Sequence, residues 1–171
     1  MATTLHILCT GGTFDKIYGS GAGVRNFTFP EVSAVTEIVA KFHVPNVHVT
    51  YDPARAMDSL DMTEADRIFI ANWCAQFPAG RCVIIHGTDT MVKTAAAIAE
   101  RRLDCTVVLT GALQPTRMRD SDAEFNLGGA IIAAQTSTPG VYIVMHGQLF
   151  AWNKCQKNPV TGQFEQISPI V

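Results

Sequence analysis

His86-Gly87-Thr88-Asp89-Thr90 holds the densest chemistry in the chain. Its glycine lets backbone come close to a ligand, and amides exposed at a helix start favour a negative group. The Thr88 hydroxyl becomes a nucleophile, or activates water, once a base takes its proton. A neutral lysine is such a base, and Lys93, Lys154 and Lys157 are the downstream candidates. Lys93 lies one turn along the same helix and faces solvent. Asp89 can orient the lysine or hold a ligand ammonium. The same Thr–Asp pair also fits plain helix capping. A second stretch, Thr10-Gly11-Gly12-Thr13, ends an apolar run and leads into Gly19-Ser20-Gly21-Ala22-Gly23. It is neither a dinucleotide fingerprint nor a phosphate loop, and a tight turn explains its glycines equally well.

Alternating strands and helices must position these groups. Leu5–Thr10, Val47–Tyr51, Cys82–His86, Thr106–Thr110 and Val141–Met145 read as strands, the later ones continuously apolar as if covered on both faces. Between them Pro30–His43, Thr63–Phe77, Asp89–Arg102 and Asp122–Gln135 read as helices. Pro30 and Glu31 suit a helix start, and Thr63 with Asp66 resembles a capping box. Gln148–Trp152 reads as a short strand, and Asn158–Gly162 as a turn before a final extended piece. This order predicts one α/β domain over residues 1–171, a doubly wound, Rossmann-like, mostly parallel sheet with helices on both faces. Ligands bind beyond the carboxyl ends of such strands. The polar loops Thr10–Thr13, Asp58–Asp61, His86–Thr90 and Thr110–Ala112 all fall there, so they should meet at one mouth.

Composition excludes several other classes. A net charge of -2 offers no basic face for nucleic acid. No apolar run approaches the ~20 residues of a membrane span, and the N-terminus has no signal-type pattern. Five scattered cysteines, without a C-x-x-C, read as buried free thiols of a cytoplasmic protein. His6, His43, His48 and His146 show no metal-ligand spacing, and His86 ends an apolar strand as a structural residue.

Thr10-Gly11-Gly12-Thr13, Asp58-Ser59-Leu60-Asp61-Met62-Thr63, His86-Gly87-Thr88-Asp89-Thr90-Met91, and Leu109-Thr110-Gly111-Ala112 with Phe125-Asn126-Leu127 together resemble the bacterial-type L-asparaginases. The motifs keep family order over almost the whole chain. The chain resembles only the N-terminal domain of two-domain members, as in a short photosynthetic-bacterial form, so no C-terminal domain is expected. The resemblance implies hydrolysis of L-asparagine to aspartate and ammonia without metal or organic cofactor. It makes Thr13 the nucleophile on a lid loop, Tyr18 its activator, and Thr88, Asp89 and Lys157 the remaining catalytic groups, with Lys154 the fallback lysine. It places Ser59 on the substrate carboxylate, Asp89 on its ammonium, and Gly12, Asp58, Leu60, Gly87, Thr88 and Ala112 around it. Gly19–Gly23 then reads as a lid hinge.

The same residues have blander readings: Tyr18 as a loop aromatic, Ser59 as a turn residue, Lys157 as a solvated lysine, and Arg117–Asp120 as a charged turn. Three departures from the family stand out. Phe14 replaces a small aliphatic residue, Leu60 replaces a polar one, and the acid lent by a neighbouring C-terminal domain is missing. Glu165 or Asp120 of a second copy could substitute, which fits a homo-oligomer, dimer or tetramer. Two further functions compete: glutaminase or ammonia-feeding amidase activity, and a non-catalytic amino-acid sensor.

Overall fold

The computed structural model describes residues 4–19 and 26–167. In chain order it contains β1 (Leu5–Cys9), β2 (Ile17–Tyr18), β3 (Phe27–Thr28), α1 (Ala34–Lys41), β4 (Val47–Tyr51), α2 (Glu64–Cys74) and β5 (Arg81–Ile85). Then follow α3 (Met91–Glu100), β6 (Thr106–Thr110), α4 (Ala123–Thr136), β7 (Gly140–Met145), β8 (Gln148–Ala151), β9 (Cys155–Lys157) and β10 (Phe164–Gln166). Residues 20–23 of the expected hinge lie outside the described residues.

One six-stranded sheet runs in the order β4-β1-β5-β6-β7-β8. Its first five strands are parallel, and β8 closes the edge antiparallel to β7. Strand alternation divides the core between the two faces. Leu8, Ile84, Leu109 and Ile143 pack with Ile70 of α2 and Met91 and Ile98 of α3. Ile7, Ile85, Val108 and Val144 pack with Val35 of α1 and Leu127 of α4. The continuously apolar strands are therefore covered on both sides, as expected.

The strand order reverses between β1 and β5, because the chain goes outward from β1 to β4 and then returns to β5. In open parallel sheets that reversal splits the following loops and opens the ligand crevice. The loops after β1 and β5 are Thr10–Thr13 and His86–Thr90. Topology alone thus brings the two threonine-bearing segments to one crevice.

Two helix starts differ from the sequence expectation. The first helix begins not at Pro30 but after Ser33, whose hydroxyl accepts from Val35 N at 3.2 Å and donates to buried Asp15. Pro30 instead gives its carbonyl to the Tyr51 hydroxyl at 2.7 Å. Helix α3 starts after Thr90, so Asp89 stands outside its first turn and is available to another partner. The hairpin β2–β3 was not foreseen, because strands of two residues leave no periodicity to read. By contrast, β10 is the final extended piece expected after the Asn158–Gly162 turn, and its pairing with β9 is the new feature. The Thr63–Asp66 capping box forms as expected. All five cysteines are buried and free.

Candidate active site

The hairpin β9–β10 carries Lys157 back over the start of α3. Its ammonium donates to Thr88 Oγ1 at 2.8 Å and pairs with Asp89 Oδ1 at 2.5 Å. Thr88 is buried and Asp89 exposed, so the pair lies at a mouth rather than inside the core. Lys154 is exposed in the turn before β9, and Lys93 is exposed on α3. Of the three candidate lysines, the fold brings Lys157 to the threonine.

Thr13 opens a short 3₁₀ turn, Thr13–Asp15, after Gly12. Gly12 donates its amide to Met57 O at 2.9 Å and lies against the backbone of Gly87, where a Cβ on Gly12 would come within 2.5 Å of Gly87 N. Gly87 is equally tight on its other side: a Cβ there would lie 2.6 Å from Ser59 Oγ. Only glycines allow three loops to approach this closely. Thr90 Oγ1 reaches across to Ser59 O at 2.8 Å and ties the second loop to the third. Gly12, Thr13, Ser59, Gly87, Thr88, Asp89 and Lys157 therefore belong to one cluster.

Ser59 is 1% exposed, and its Oγ has no hydrogen-bond partner among the described residues. A buried hydroxyl without a partner is costly unless a ligand supplies one. Asp58, beside it, bonds Lys16 Nζ and accepts from Leu60 N at 2.9 Å. Leu60 itself is exposed. Ala112 is buried behind the loop after β6, which Asp122 holds by accepting from Leu113 N and Gln114 N, at 2.9 and 3.0 Å. Asn126 adds a bond to Gly111 O at 3.0 Å.

Tyr18 departs from its expected surroundings. It lies on β2, 45% exposed, edge-on to Phe27 at 6.0 Å, and its hydroxyl makes no hydrogen bond among the described residues. Phe14, by contrast, is wholly buried, and its carbonyl accepts from Thr116 N and Oγ1. The Thr13 turn is thus anchored by a core side chain that a small aliphatic residue would not fill. Glu165 accepts from Gln156 Nε2 and Asn158 Nδ2, and these bonds, Gln156 first, hold its carboxyl below the usual range. Asp120 is exposed in the loop before α4.

Sequence reading missed Asp15, Lys16, Thr90 and Asp122 as supports. Asp15 and Lys16 directly follow the glycine-threonine motif, and two charges beside a buried Phe14 are the one local signal. Burial raises the Asp15 carboxyl despite its bonds from Ala34 N and Ser33. A separate, largely apolar cavity of about 240 Å³ lies on the α2 side of these loops, lined by Leu8, Met57, Met62, Phe69 and Ile70. It touches none of Thr13, Thr88, Asp89 or Lys157. Among the described residues no cluster of three or more His, Cys, Asp or Glu side chains is placed to hold a metal ion. No described helix is long and apolar enough to cross a membrane.

His86 sits directly beneath the cluster, fully buried. A carbonyl can only accept, so the contact of Nδ1 with Gly87 O at 2.7 Å places the ring proton on Nδ1. Nε2 then accepts from Thr94 Oγ1 at 2.8 Å. Burial pushes the imidazole down to about 4. The unfolded state binds a proton near pH 6.5 and the folded state only near 4, so stability is complete above pH 6.5 and falls as pH drops towards 4. The full effect is about 3 kcal/mol. Asp15, with its raised carboxyl, acts in the opposite direction near the acid end. Urea unfolding at pH 7.5 and 4.5 should therefore show a steeper loss for wild type than for His86→Gln. Equal losses in the two proteins would mean that His86 is already charged in the fold.

The sequence profile of the asparaginase N-terminal domain matches residues 4–166. The chain belongs to that family. Among curated relatives it is 39% identical to a glutamyl-tRNA(Gln) amidotransferase component of Pyrococcus furiosus, over 85% of this chain and 34% of the relative. It is 34% identical to the L-asparaginase of Dirofilaria immitis, over 82% of this chain and 23% of that one. Among solved structures, L-asparaginase I from Vibrio cholerae superposes with TM-score 0.77 at 27% identity, covering 96% of this chain and 52% of that one. The thermostable L-asparaginase from Thermococcus kodakarensis, at 24% identity and TM-score 0.78, shares the fold. This asparaginase-family chain spans about half of those solved structures and between about a quarter and a third of these curated relatives.

Proposed function

We propose that the protein is an L-asparagine amidohydrolase releasing aspartate and ammonia. The observation that carries this reading is the Lys157 ammonium on Thr88 Oγ1 and Asp89, next to a Gly12–Thr13 turn packed on the same loop. In this reading Thr13 Oγ attacks the side-chain amide carbon and the C–N bond breaks. The departing nitrogen takes the Thr13 hydroxyl proton and one from the Lys157 ammonium and leaves as ammonium, and an ester to Thr13 remains. Lys157, having given up that proton, takes one through Thr88 from water, which attacks the ester. The C–O bond to Thr13 then breaks, the second water proton restores the Thr13 hydroxyl, and aspartate departs. In this reading the backbone amides of Thr13 and Ala112 are the donors that steady the developing oxyanion, because that of Gly12 is held by Met57 O. Ser59 Oγ finds its missing partner in the α-carboxylate, and Asp89 holds the α-ammonium. Tyr18, exposed on its short hairpin, would have to swing inward to activate Thr13. A symmetric homo-oligomer belongs to the same proposal: Phe125, Ile132 and Leu149 expose a contiguous apolar face suited to a second copy.

A second reading is favoured by the similarity to amidotransferase components, which makes an amidase that liberates ammonia from glutamine the alternative. Ammonia release by the purified chain from L-asparagine and from L-glutamine separates the two. Asparagine should be the faster substrate by at least tenfold. Faster glutamine turnover would favour the alternative, and binding of either amino acid without turnover would indicate a sensor.

A further inference from the structure

Between the Thr13 turn and Tyr18 lies a lysine that the proposed chemistry does not use. Lys16 is almost wholly buried, with its side chain 9% and that of Asp58 17% exposed. Its ammonium bonds Asp58 Oδ2 and sits over the Phe27 ring, 4.1 Å from the centroid. Asp58 Oδ1 meanwhile accepts from Leu60 N, which curls the chain around Ser59 and turns its hydroxyl inward against Gly87. One cation therefore joins the threonine turn, the β2–β3 hairpin and the loop of the unpartnered Ser59.

A buried ion pair adds little net stability, because desolvation offsets the attraction, yet removing one member leaves an uncompensated charge. Its value here is geometric. The Thr13 turn follows β1 and the Ser59 loop follows β4, and this side-chain bond joins them. Backbone bonds at Gly12 and Met57 fix their bases, while Lys16 fixes their tips.

We propose that Lys16 is a positioning residue that couples the threonine turn to the Ser59 loop and so sets the subsite for a substrate carboxylate. The inference rests on the asparaginase reading for its ligand, an α-amino acid with a free carboxylate, but not for the coupling itself. The two parts are read separately. Hydrogen exchange of the free protein should quicken in Lys16→Met at Leu60 and Asp61 as well as at Lys16 and Ile17. Faster exchange confined to residues 14–18 would refute the coupling whatever the activity.

In steady-state assays with L-asparagine, Lys16→Met should raise KM tenfold or more and lower kcat by less than that. Lys16→Arg should keep KM within about threefold, since its planar cation can still pair with Asp58. The double variant Lys16→Met with Asp58→Asn also removes the carboxylate that Lys16 faced, and so guards against misfolding of the single variant. It should fold, and still show the raised KM. A wild-type KM in the double variant, or equal losses in KM and kcat, would overturn the subsite assignment. Absence of asparagine turnover and of aspartate binding in wild type itself would instead defeat the asparaginase reading, leaving the exchange experiment to judge the coupling.

Discussion

Replacing Lys157 with methionine should lower kcat for ammonia release from L-asparagine by about 10²–10⁴-fold, the usual worth of a positioned general base. The fold should survive. Lys157 lies on the rim, in a three-residue strand, and its pairing with Asp89 is partly solvated. Lys157→Arg sharpens the test. Arginine keeps the positive charge and the pairing with Asp89, but it does not give up its proton in a protein. If Lys157 serves only as a charge, the arginine variant should retain most activity; if it moves a proton, arginine should be as inactive as methionine. Lys154→Met supplies the control and should leave kcat within twofold of wild type, because Lys154 is exposed away from Thr88. Full activity in Lys157→Met, or loss in Lys154→Met, would remove the basis of the proposed mechanism. Thr13→Ala should be at least as damaging as Lys157→Met if Thr13 carries the acyl group.

The fold was largely legible because the strongest features of the sequence are periodic. Val83, Ile84 and Ile85 form an unbroken apolar run because β5 is covered by α2 and α3 on one face and by α1 and α4 on the other. Polar loops fell at strand ends for the same reason: the sheet leaves no other place for them. Helix starts were legible where a cap is local or an acidic residue stands at the boundary, as Asp122 does before α4. Thr63 and Asp66 satisfy each other within one turn and could be read. The start at Ser33 depends on Asp15, eighteen positions earlier and buried, and no local pattern records that.

The cluster was legible to the extent that backbone topology gathers it. Gly12, Ser59, Gly87 and Thr88 follow strands next to the reversal in strand order, so their meeting follows from the sheet. The approach of Lys157 was expected only from family resemblance, since the hairpin that carries it, β9–β10, is too short to show a period. The supports were least visible. Thr90 bonds a carbonyl, Asp122 bonds two amides, and Lys16 bonds one carboxylate. Each is an ordinary polar residue whose function appears only when its partner is known. Tyr18 shows the converse: its position in sequence suits an activator, while the residue lies 45% exposed on a two-stranded ribbon.

Gly12→Ala should be a severely damaging single-carbon change, although it alters no catalytic side chain. Gly12 has φ 69° and ψ -173°, a region open in practice to glycine alone. Forcing alanine there costs about 1–3 kcal/mol in backbone strain. The added Cβ would also fall 2.5 Å from Gly87 N and 2.6 Å from its Cα, backbone atoms fixed between Ser59 and the end of β5. Neither loop can retreat without breaking the bond from Gly12 N to Met57 O or the tie from Thr90 to Ser59. Overlap of this kind adds about 1–3 kcal/mol. Gly162 provides a control of similar φ. It has φ 72° with nothing within 4 Å of an added Cβ, so Gly162→Ala carries backbone strain without the collision. Urea unfolding should therefore find Gly12→Ala destabilised by about 1–3 kcal/mol more than Gly162→Ala. The larger consequence is kinetic. A displacement of about 1 Å between the Thr13 turn and the Thr88 loop should cost about 10²-fold in kcat/KM, because attacking and activating groups must share one geometry. Gly162→Ala should leave kcat/KM near wild type. If the two variants unfold alike and turn over alike, the close approach of Gly12 to Gly87 does not hold the threonines in register, and the shared site must be abandoned.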